Sequence, residues 1–154
     1  MSEKKFWPIE DLIPHRGEMI LIDALIDYSD NSVDVACTPK ASGLFIDEQQ
    51  QMPGWVGIEL MAQAIATFAG VSARLRGDEP KVGFLLGTRA YTAHVDHFPV
   101  GQTFTVRATQ LYLDEGGLGS FDCRIFIGEQ ILAEAAVNVF EPKDFYGYLK
   151  GVQQ

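Results

Sequence analysis

Apolar and polar residues alternate in several short stretches of the chain, and one long stretch near the middle is apolar almost throughout. The first two stretches, residues 19–28 and 32–38, flank the turn residues Ser-Asp-Asn and predict a β-hairpin. The long apolar stretch runs to about Arg76 and is stopped by a glycine and a proline, so it predicts one helix of about 20 residues. Four more strands are predicted at residues 81–95, 103–113, 119–127 and 130–140.

The order of two strands, one helix and four strands predicts an α+β fold. A helix that is apolar nearly all round must be covered on most sides, and a curved antiparallel sheet wrapped around it provides that cover. The 154 residues suffice for one hydrophobic core, so we expect a single domain over residues 1–154. Residues 142–154 form a C-terminal tail, whose aromatic side chains we expect to pack on the domain or on a partner.

Charge and composition narrow the function classes. The formal net charge of −9 argues against nucleic acid as a partner, because phosphate binding needs clustered Lys and Arg. The N-terminal residues carry acids and a proline before any apolar run, unlike a secretory signal, so we expect a cytoplasmic protein. Cys37 and Cys123 occupy alternating apolar positions and are predicted to be core residues rather than a disulfide or a metal site.

Three polar residues interrupt the apolar helix at intervals of four: Glu59, Gln63 and Thr67. Residues at this spacing share one helix face and form a polar stripe. Burying a carboxylate costs on the order of several kcal/mol unless it is paired. Glu59 therefore serves either acid/base chemistry or a structural hydrogen-bond network, and the pattern alone leaves both open. A carboxylate inside an uninterrupted apolar run of fewer than about 18 residues also argues against a membrane span.

The sequence Met-Pro-Gly precedes the helix and places Pro53 and Gly54 at its first turn. We expect the backbone amides of Gly54 and Trp55 to be free there, and to donate to a carbonyl or oxyanion. With the carboxylate of Glu59 one and a half turns later, they describe a site for acid/base chemistry beside a polarised carbonyl.

Three separated motifs carry a resemblance to a known family. The sequence MPGWVGIELMAQ, residues 52–63, resembles the central-helix motif of the hot-dog-fold 3-hydroxyacyl-ACP dehydratases, most closely the decanoyl-type branch. IPHRGEMILIDAL, residues 13–25, is similar to their N-terminal Pro-His-Arg segment, and FPVGQTFTV, residues 98–106, to their Pro-Gly turn. The resemblance implies a hot-dog dimer that holds an acyl phosphopantetheine chain in a tunnel between two helices, with no cofactor and no metal.

The resemblance also implies roles for individual residues. Glu59 matches the catalytic acid, and Gln63 matches the glutamine that orients it. Gly54 matches the backbone donor to the thioester carbonyl. The substrate-binding surface is expected to include Gly54, Trp55, Phe45 and Thr67.

One residue of the family pattern is missing. The family's acid works with a histidine that lies 14 positions earlier, in Gly-His-Phe-Pro, and reaches it across the dimer interface; Phe45 occupies that position here. Dehydration needs a base at C2 and an acid for the leaving hydroxyl. A site that has only one of the two groups is therefore expected to lose much of its dehydration rate. The family uses the histidine that matches His15 structurally, and His94 and His97 are predicted to be surface residues.

Three hypotheses remain open. In the first, the chain is the incomplete member of a dehydratase heterodimer in fatty-acid or polyene-type lipid biosynthesis, including aryl polyene pathways, and Glu59 meets the histidine of a complete paralogue. In the second, it is an acyl-CoA or acyl-ACP thioesterase that uses Glu59. In the third, it is a non-catalytic scaffolding subunit. A homodimer is the alternative assembly.

Acyl carrier protein and coenzyme A are both anionic, so their docking surface is expected to be basic. The end of the helix offers such a cluster, formed by Arg74, Arg76, Lys81 and Arg89. The alternative is that these are solvated charges, some of which complement the helix C-terminus.

Overall fold

The computed structural model describes residues 4–78 and 84–140, and the predicted tail, residues 142–154, lies outside them. Short 3₁₀ turns lie at Ile9–Asp11, Gly17–Met19 and Gly54–Val56. The helix α1 is Gly57–Leu75. The strands are β1 (Ala24–Tyr28), β2 (Ser32–Cys37), β3 (Met52–Pro53), β4 (Phe84–Ala93), β5 (His97–Phe98), β6 (Phe104–Leu113), β7 (Leu118–Ile127) and β8 (Gln130–Phe140).

Six of the strands form one antiparallel sheet in the order β1-β2-β6-β7-β8-β4. Along the chain, the helix α1 follows β3 and precedes β4. It packs on β2, β4, β6 and β7. The two-residue strands β3 and β5 form a separate antiparallel pair, with Met52 opposite Phe98. Of the two, β3 directly precedes the turn that leads into the helix. This is the α+β arrangement that the hydrophobic pattern predicts, with the helix lying against a sheet.

Alternating residues of the strands make the core. In β2, Val33, Val35 and Cys37 are fully buried, and their neighbours in sequence are not. Cys123 on β7 is also fully buried, between Ala108 of β6 and Ala135 of β8. Both cysteines are free thiols, and burial raises the pKa of each to about 12. They are core residues, as their alternation predicts.

The first strand is shorter than the sequence predicts. The expected strand spans residues 19–28, whereas β1 begins at Ala24 and residues 17–19 form a 3₁₀ turn. The physical reason is a side chain from the helix: Gln63 takes the backbone amide of Leu21 and the carbonyl of Met19, which are therefore unavailable to a strand ladder. This departure from the pattern lies beside the candidate site.

Two glycines of α1 let other segments approach the helix closely. An added Cβ at Gly70 would overlap the backbone carbonyl of Leu12, and one at Gly57 would overlap the hydroxyl of Tyr91. Small residues at these positions therefore fix where the N-terminal segment and β4 lie against the helix. Tyr91 follows Ala90, whose φ is +51°, within a break in register between Arg89 and Thr92.

The segment Gly54–Leu75 is long and apolar enough, by length and composition, to cross a membrane. Length and composition alone therefore do not distinguish this segment from a membrane span. In the fold, however, 67% of its most apolar window is buried, as is typical of the central helix of a packed domain.

Candidate active site at the start of the helix

Glu59 lies in the first turn of α1, and its side chain is 35% exposed. The sequence pattern suggests a buried carboxylate, but within this chain the group is only partly buried. A carboxylate near a helix N-terminus is favoured by the helix dipole, and partial exposure lowers the cost of keeping it there. The group is therefore accessible from outside this chain.

Gln63 holds Glu59 from one turn further along the helix. Its Nε2 donates to Glu59 Oε1 at 3.1 Å and to the carbonyl of Met19 at 2.7 Å. Its Oε1 accepts from the amide of Leu21 at 2.9 Å. The side chain is fully buried, and its amide orientation follows from these partners, because only the oxygen end can accept from Leu21. Gln63 therefore orients the carboxyl group and ties residues 19–21 to the helix.

His15 lies next to the same carboxylate oxygen, with its Nε2 3.5 Å from Glu59 Oε1. The family resemblance assigns His15 a structural role. The sequence pattern does not reveal this contact, because the two residues are separated by 44 positions. The sequence signal available for this contact is weak: His15 lies four positions before the strand predicted at residues 19–28, which was expected to pack against the helix. The fold brings His15, Glu59 and Gln63 together.

The segment that carries His15 is well anchored. Leu12 is 1% exposed and lies against Gly70 of the helix. The guanidinium group of Arg16 donates to the backbone carbonyls of Ile13 and His15 at 2.8 Å and 2.7 Å. His15 therefore has a fixed backbone, and its Nδ1 is buried without a hydrogen-bond partner among the described residues.

Thr67 is the third residue of the polar stripe, but it is fully buried. Its hydroxyl donates to the backbone carbonyl of Gln63 at 2.8 Å, one turn back along the helix. Thr67 was expected on the substrate-binding surface, yet in this chain its hydroxyl is used within the helix and does not border the exposed side of Glu59.

The amide of Gly54 is not free, which corrects the expectation from the Met-Pro-Gly motif. It donates to the backbone carbonyl of Asp96 at 2.8 Å. The turn between β4 and β5 approaches so closely that an added Cβ at Gly54 would lie 2.9 Å from the carbonyl oxygen of Val95. The carbonyl of Gly54 in turn accepts from the hydroxyl of Tyr91, and burial raises the pKa of Tyr91 to about 12.

The next amide along the chain, that of Trp55, has no acceptor among the described residues. The first amides of a helical segment have no partner within it, so such an amide is available to a ligand. If a backbone donor to a thioester carbonyl exists here, the geometry favours Trp55 over Gly54.

Phe45 and Trp55 form an aromatic pair beside the helix N-terminus. Their ring centroids are 5.5 Å apart with an edge-to-face geometry, and Trp55 is 59% exposed. Phe45 has a φ of +65°, which is rare for a bulky side chain, in a loop held by hydrogen bonds from Gln49 and Gln51 to Asp47. At the position of the family's histidine, this chain therefore has an apolar contact.

The other two histidines pair with single carboxylates on the surface. His94 Nε2 lies 3.0 Å from Glu134 Oε2, and His97 Nε2 lies 3.6 Å from Asp47 Oδ2. Within residues 4–78 and 84–140, no three His, Cys, Asp or Glu side chains are grouped as a metal site would require.

The predicted basic cluster is partly used inside the chain. Arg74 donates to the backbone carbonyl of Asp11 at 3.0 Å, and Arg76 pairs with Asp78 at 3.4 Å. Arg89 is exposed, and Lys81 lies outside the described residues. These contacts leave less free positive charge for an anionic carrier than the sequence suggests.

One stripe of α1 is left uncovered by the sheet. Its residues share a helix face and are partly exposed: Ile58, Glu59, Ala62, Ala66 and Ala69. The exposed Trp55, in the 3₁₀ turn before the helix, continues this surface. Met19, which is 50% exposed, stands beside this stripe through the contact of its carbonyl with Gln63. The stripe is apolar except for the carboxylate of Glu59, so the candidate site opens into a surface suited to an acyl chain or a second subunit.

The chain is similar to several known proteins. A family model described as ApeP-like, ApeP dehydratase, matches residues 7–150. The dehydratase heterocomplex ApeI:P from Xenorhabdus doucetiae has a chain with a TM-score of 0.88 and 28% identity, covering 97% of this chain and 100% of that one. The 3-hydroxyacyl-[acyl-carrier-protein] dehydratase FabZ of Chlamydia muridarum is 26% identical over 147 residues, 90% of this chain and 94% of the relative.

More distant structures share the fold alone. The PaaI protein of the E. coli phenylacetic acid degradation operon has a TM-score of 0.59 and 16% identity, over 76% of this chain and 81% of that chain. These findings confirm the hot-dog fold and the resemblance to the 3-hydroxyacyl-ACP dehydratases that the three motifs indicate.

Proposed function

Because the chain belongs to the ApeP-like dehydratase family, we propose that it is a subunit of a dehydratase that removes water from a 3-hydroxyacyl thioester carried on acyl carrier protein. The reaction belongs to fatty-acid or polyene-type lipid biosynthesis, and we expect it to take place in the cytoplasm. No metal or cofactor is needed for this chemistry.

The observation that carries the proposal is the geometry of Glu59. Its Oε1 accepts from Gln63 and faces His15, whereas its Oε2 has no hydrogen-bond partner among the described residues. When a carboxyl group accepts through one oxygen, its proton resides on the other oxygen. Oε2 is therefore the atom that exchanges a proton with a substrate at the exposed stripe.

In the proposed reaction, a base removes the proton from C2 of the 3-hydroxyacyl thioester. The electron pair of the C2–H bond becomes the second bond between C2 and C3, and the C3–O bond breaks with its electrons on oxygen. Glu59 Oε2 gives its proton to that oxygen, which leaves as water. Return of the C2 proton from the base to the carboxylate restores both groups. The product is a 2-enoyl thioester.

The base comes from a second hot-dog subunit. Phe45, at the position of the family's histidine, carries no base, and its ring packs on Trp55. The exposed stripe of α1 offers an apolar face on which another helix can pack beside Glu59. The similarity to a chain of a dehydratase heterocomplex supports a heterodimer with a complete dehydratase paralogue. The histidine of that paralogue then serves the site of Glu59.

Hydrolysis of an acyl thioester is the second candidate activity. One structural neighbour is a hypothetical thioesterase protein from Streptococcus pneumoniae with coenzyme A, and at 12% identity it supports the fold alone. Oriented carboxylates serve hydrolysis as well as dehydration, and the product distinguishes the two.

The test is turnover of a 3-hydroxyacyl-ACP by the chain alone, by the paralogue alone and by the coexpressed complex. We expect enoyl-ACP to form with the complex, and Glu59→Gln to lower that rate by about 10²- to 10⁴-fold. Glu129→Gln is the matched control, because Glu129 is exposed in the turn between β7 and β8. Full activity with Glu59→Gln would make the chain a scaffold, and release of free acid would make it a thioesterase.

A further inference from the structure

We propose that His15 is a positioning residue for Glu59: its Nε2–H faces Oε1, so that Oε1 is occupied by two donors and Oε2 remains the oxygen that transfers the proton. The inference rests on the proposed function for its consequence in catalysis. The arrangement itself follows from contacts within this chain.

The first step of the argument is that His15 has little freedom to leave the carboxylate. Leu12 packs against the helix at Gly70, where an added Cβ would overlap its carbonyl. Arg16 donates to two carbonyls of the same turn, those of Ile13 and His15. On the other side of the turn, residues 19–21 are bound to Gln63. The segment is therefore fixed to α1 at both ends.

The second step concerns Gln63, which acts on the same oxygen. Because its Oε1 must accept from the amide of Leu21, its Nε2 faces both the Met19 carbonyl and Glu59 Oε1. Gln63 approaches Oε1 from along the helix, and His15 approaches it from the N-terminal segment, at 3.5 Å. This separation is longer than a hydrogen bond in the free chain, and such contacts tighten when substrate is bound.

The third step is the tautomer of the imidazole. Nδ1 is buried and has no hydrogen-bond partner in the described part of the chain. A hydrogen on Nδ1 would be a buried donor without an acceptor, whereas a hydrogen on Nε2 faces a carboxylate oxygen. His15 therefore carries its hydrogen on Nε2 and acts as a donor to Glu59, rather than as the base that removes the C2 proton.

The charges around His15 agree with this role. Glu59 is the carboxylate that faces it, and the cation next to it in sequence, Arg16, is turned to backbone carbonyls and stays on the exposed side. The polar partner from the helix is Glu59, whose Oε1 also accepts from Gln63. An imidazole in this position stabilises one rotamer of the carboxyl group, which preorganises the proton transfer.

The tautomer is tested directly by two-bond ¹H–¹⁵N correlation spectra of the complex, with labelled histidine in this chain, which has three histidines. We expect His15 to carry its hydrogen on Nε2, and Glu59→Gln to shift its signals. Glu134→Gln is the control, because it should shift the signals of His94, which faces Glu134, and leave His15 unchanged. A hydrogen on Nδ1, or signals of His15 that ignore Glu59→Gln, would overturn the proposal. This readout needs no enzymatic activity.

The consequence is tested by the kinetics of the complex. His15→Phe keeps a ring but no donor, and we expect kcat to fall about 10- to 100-fold with KM nearly unchanged. His15→Gln restores an N–H at a similar reach and should recover most of the rate. His94→Gln, on the surface ion pair with Glu134, is the control, and thermal unfolding and complex formation are measured for each variant.

Each kinetic outcome decides the question. Equal loss in His15→Phe and His15→Gln would make the ring itself a proton carrier and would overturn a positioning role. No loss in either would remove His15 from the mechanism. If the wild-type complex is inactive while the spectra show the expected tautomer and its response to Glu59, the proposed function fails and the placement of His15 stands.

Discussion

Around the start of α1, the candidate site has a polar part and an apolar part. On the carboxylate side, Glu59 is held by Gln63 and faced by His15. On the aromatic side, Phe45 packs edge-to-face on Trp55. The first side has groups that can move and orient a proton, and the second has none.

In the proposed function, this difference assigns to the chain the half of a shared site that carries the carboxyl group. Glu59 accepts one hydrogen bond from Gln63, which is itself fixed by hydrogen bonds with Met19 and Leu21. A purely structural helix would not need this arrangement at its exposed stripe. On the aromatic side, an apolar contact has replaced the family's histidine, although the loop around it is still well ordered by Asp47. In the proposed function, the chain therefore donates a carboxyl group and receives a base from another subunit.

Among the changes that leave Glu59 in place, the largest effect is expected from breaking the carboxylate side at Gln63. Gln63→Leu leaves the Leu21 amide and the Met19 carbonyl unpaired, so we expect the free energy of unfolding to fall by about 2–3 kcal/mol. Loss of orientation at Glu59 should lower kcat of the complex about 10- to 100-fold. Urea unfolding and enoyl-ACP formation measure the two effects.

Gln130→Leu is the control for Gln63→Leu, because Gln130 is exposed at the start of β8. If Gln63→Leu kept both stability and rate, Glu59 would not depend on the hydrogen bonds of Gln63, and the contrast between the two sides would lose its basis.

The next effect is expected from displacing the N-terminal segment. Gly70→Ala forces a methyl group against the Leu12 carbonyl, and overpacking of this kind costs about 1–3 kcal/mol of unfolding free energy. Because His15 follows Leu12 closely, kcat should also decrease. Gly87→Ala is the control, since an added Cβ there meets nothing within 4 Å. Equal stability of the two variants, measured by denaturant unfolding, would contradict the close packing.

A smaller effect is expected from adding the missing group to the aromatic side. Phe45→His places an imidazole at the family's position and creates a second base in the heterodimer, so the rate per complex should rise by no more than about two-fold. Phe45→Leu, which removes the ring and adds no base, is the comparison. A lower rate with Phe45→His than with Phe45→Leu would indicate that the aromatic pair serves the existing site.

The smallest effect is expected at high pH, on the aromatic side. Burial raises the pKa of Tyr91 from 10.0 to about 12, and its hydroxyl donates to the Gly54 carbonyl. The unfolded chain ionises first, so the stabilisation by the neutral phenol is complete below pH 10 and is lost as the pH rises toward 12.

Tyr91→Phe should remove this part of the pH dependence of the unfolding free energy. The exposed Tyr112→Phe is the control and should leave it unchanged. An identical alkaline slope in the wild type and Tyr91→Phe would show that Tyr91 ionises alike in both states. The buried thiols of Cys37 and Cys123 lose stabilisation in the same direction, between pH 9 and about 12.

Much of the fold follows from the sequence, because its signals are periodic and local. The alternation in β2 and the long apolar run of α1 each predict which residues of that element are buried. The structure has both elements where they are predicted. The strand predicted at residues 19–28 begins late, at Ala24, because a distant side chain takes its backbone groups. A pattern of apolar residues contains no information on such a contact.

For the site, the sequence by itself determined the residue types and their helix face: a carboxylate at Glu59, a glutamine one turn later, and an aromatic residue in place of a histidine. Only the tertiary structure decided which groups meet. In the fold, the Gly54 amide donates to the Asp96 carbonyl, and the Thr67 hydroxyl donates to a carbonyl of its own helix. His15 lies next to Glu59, although the two are separated by 44 positions in the sequence. The physical reason is that spacing along a helix fixes neighbours within one element, whereas contacts between elements depend on how closely the backbones pack, here at Gly70 and Gly54.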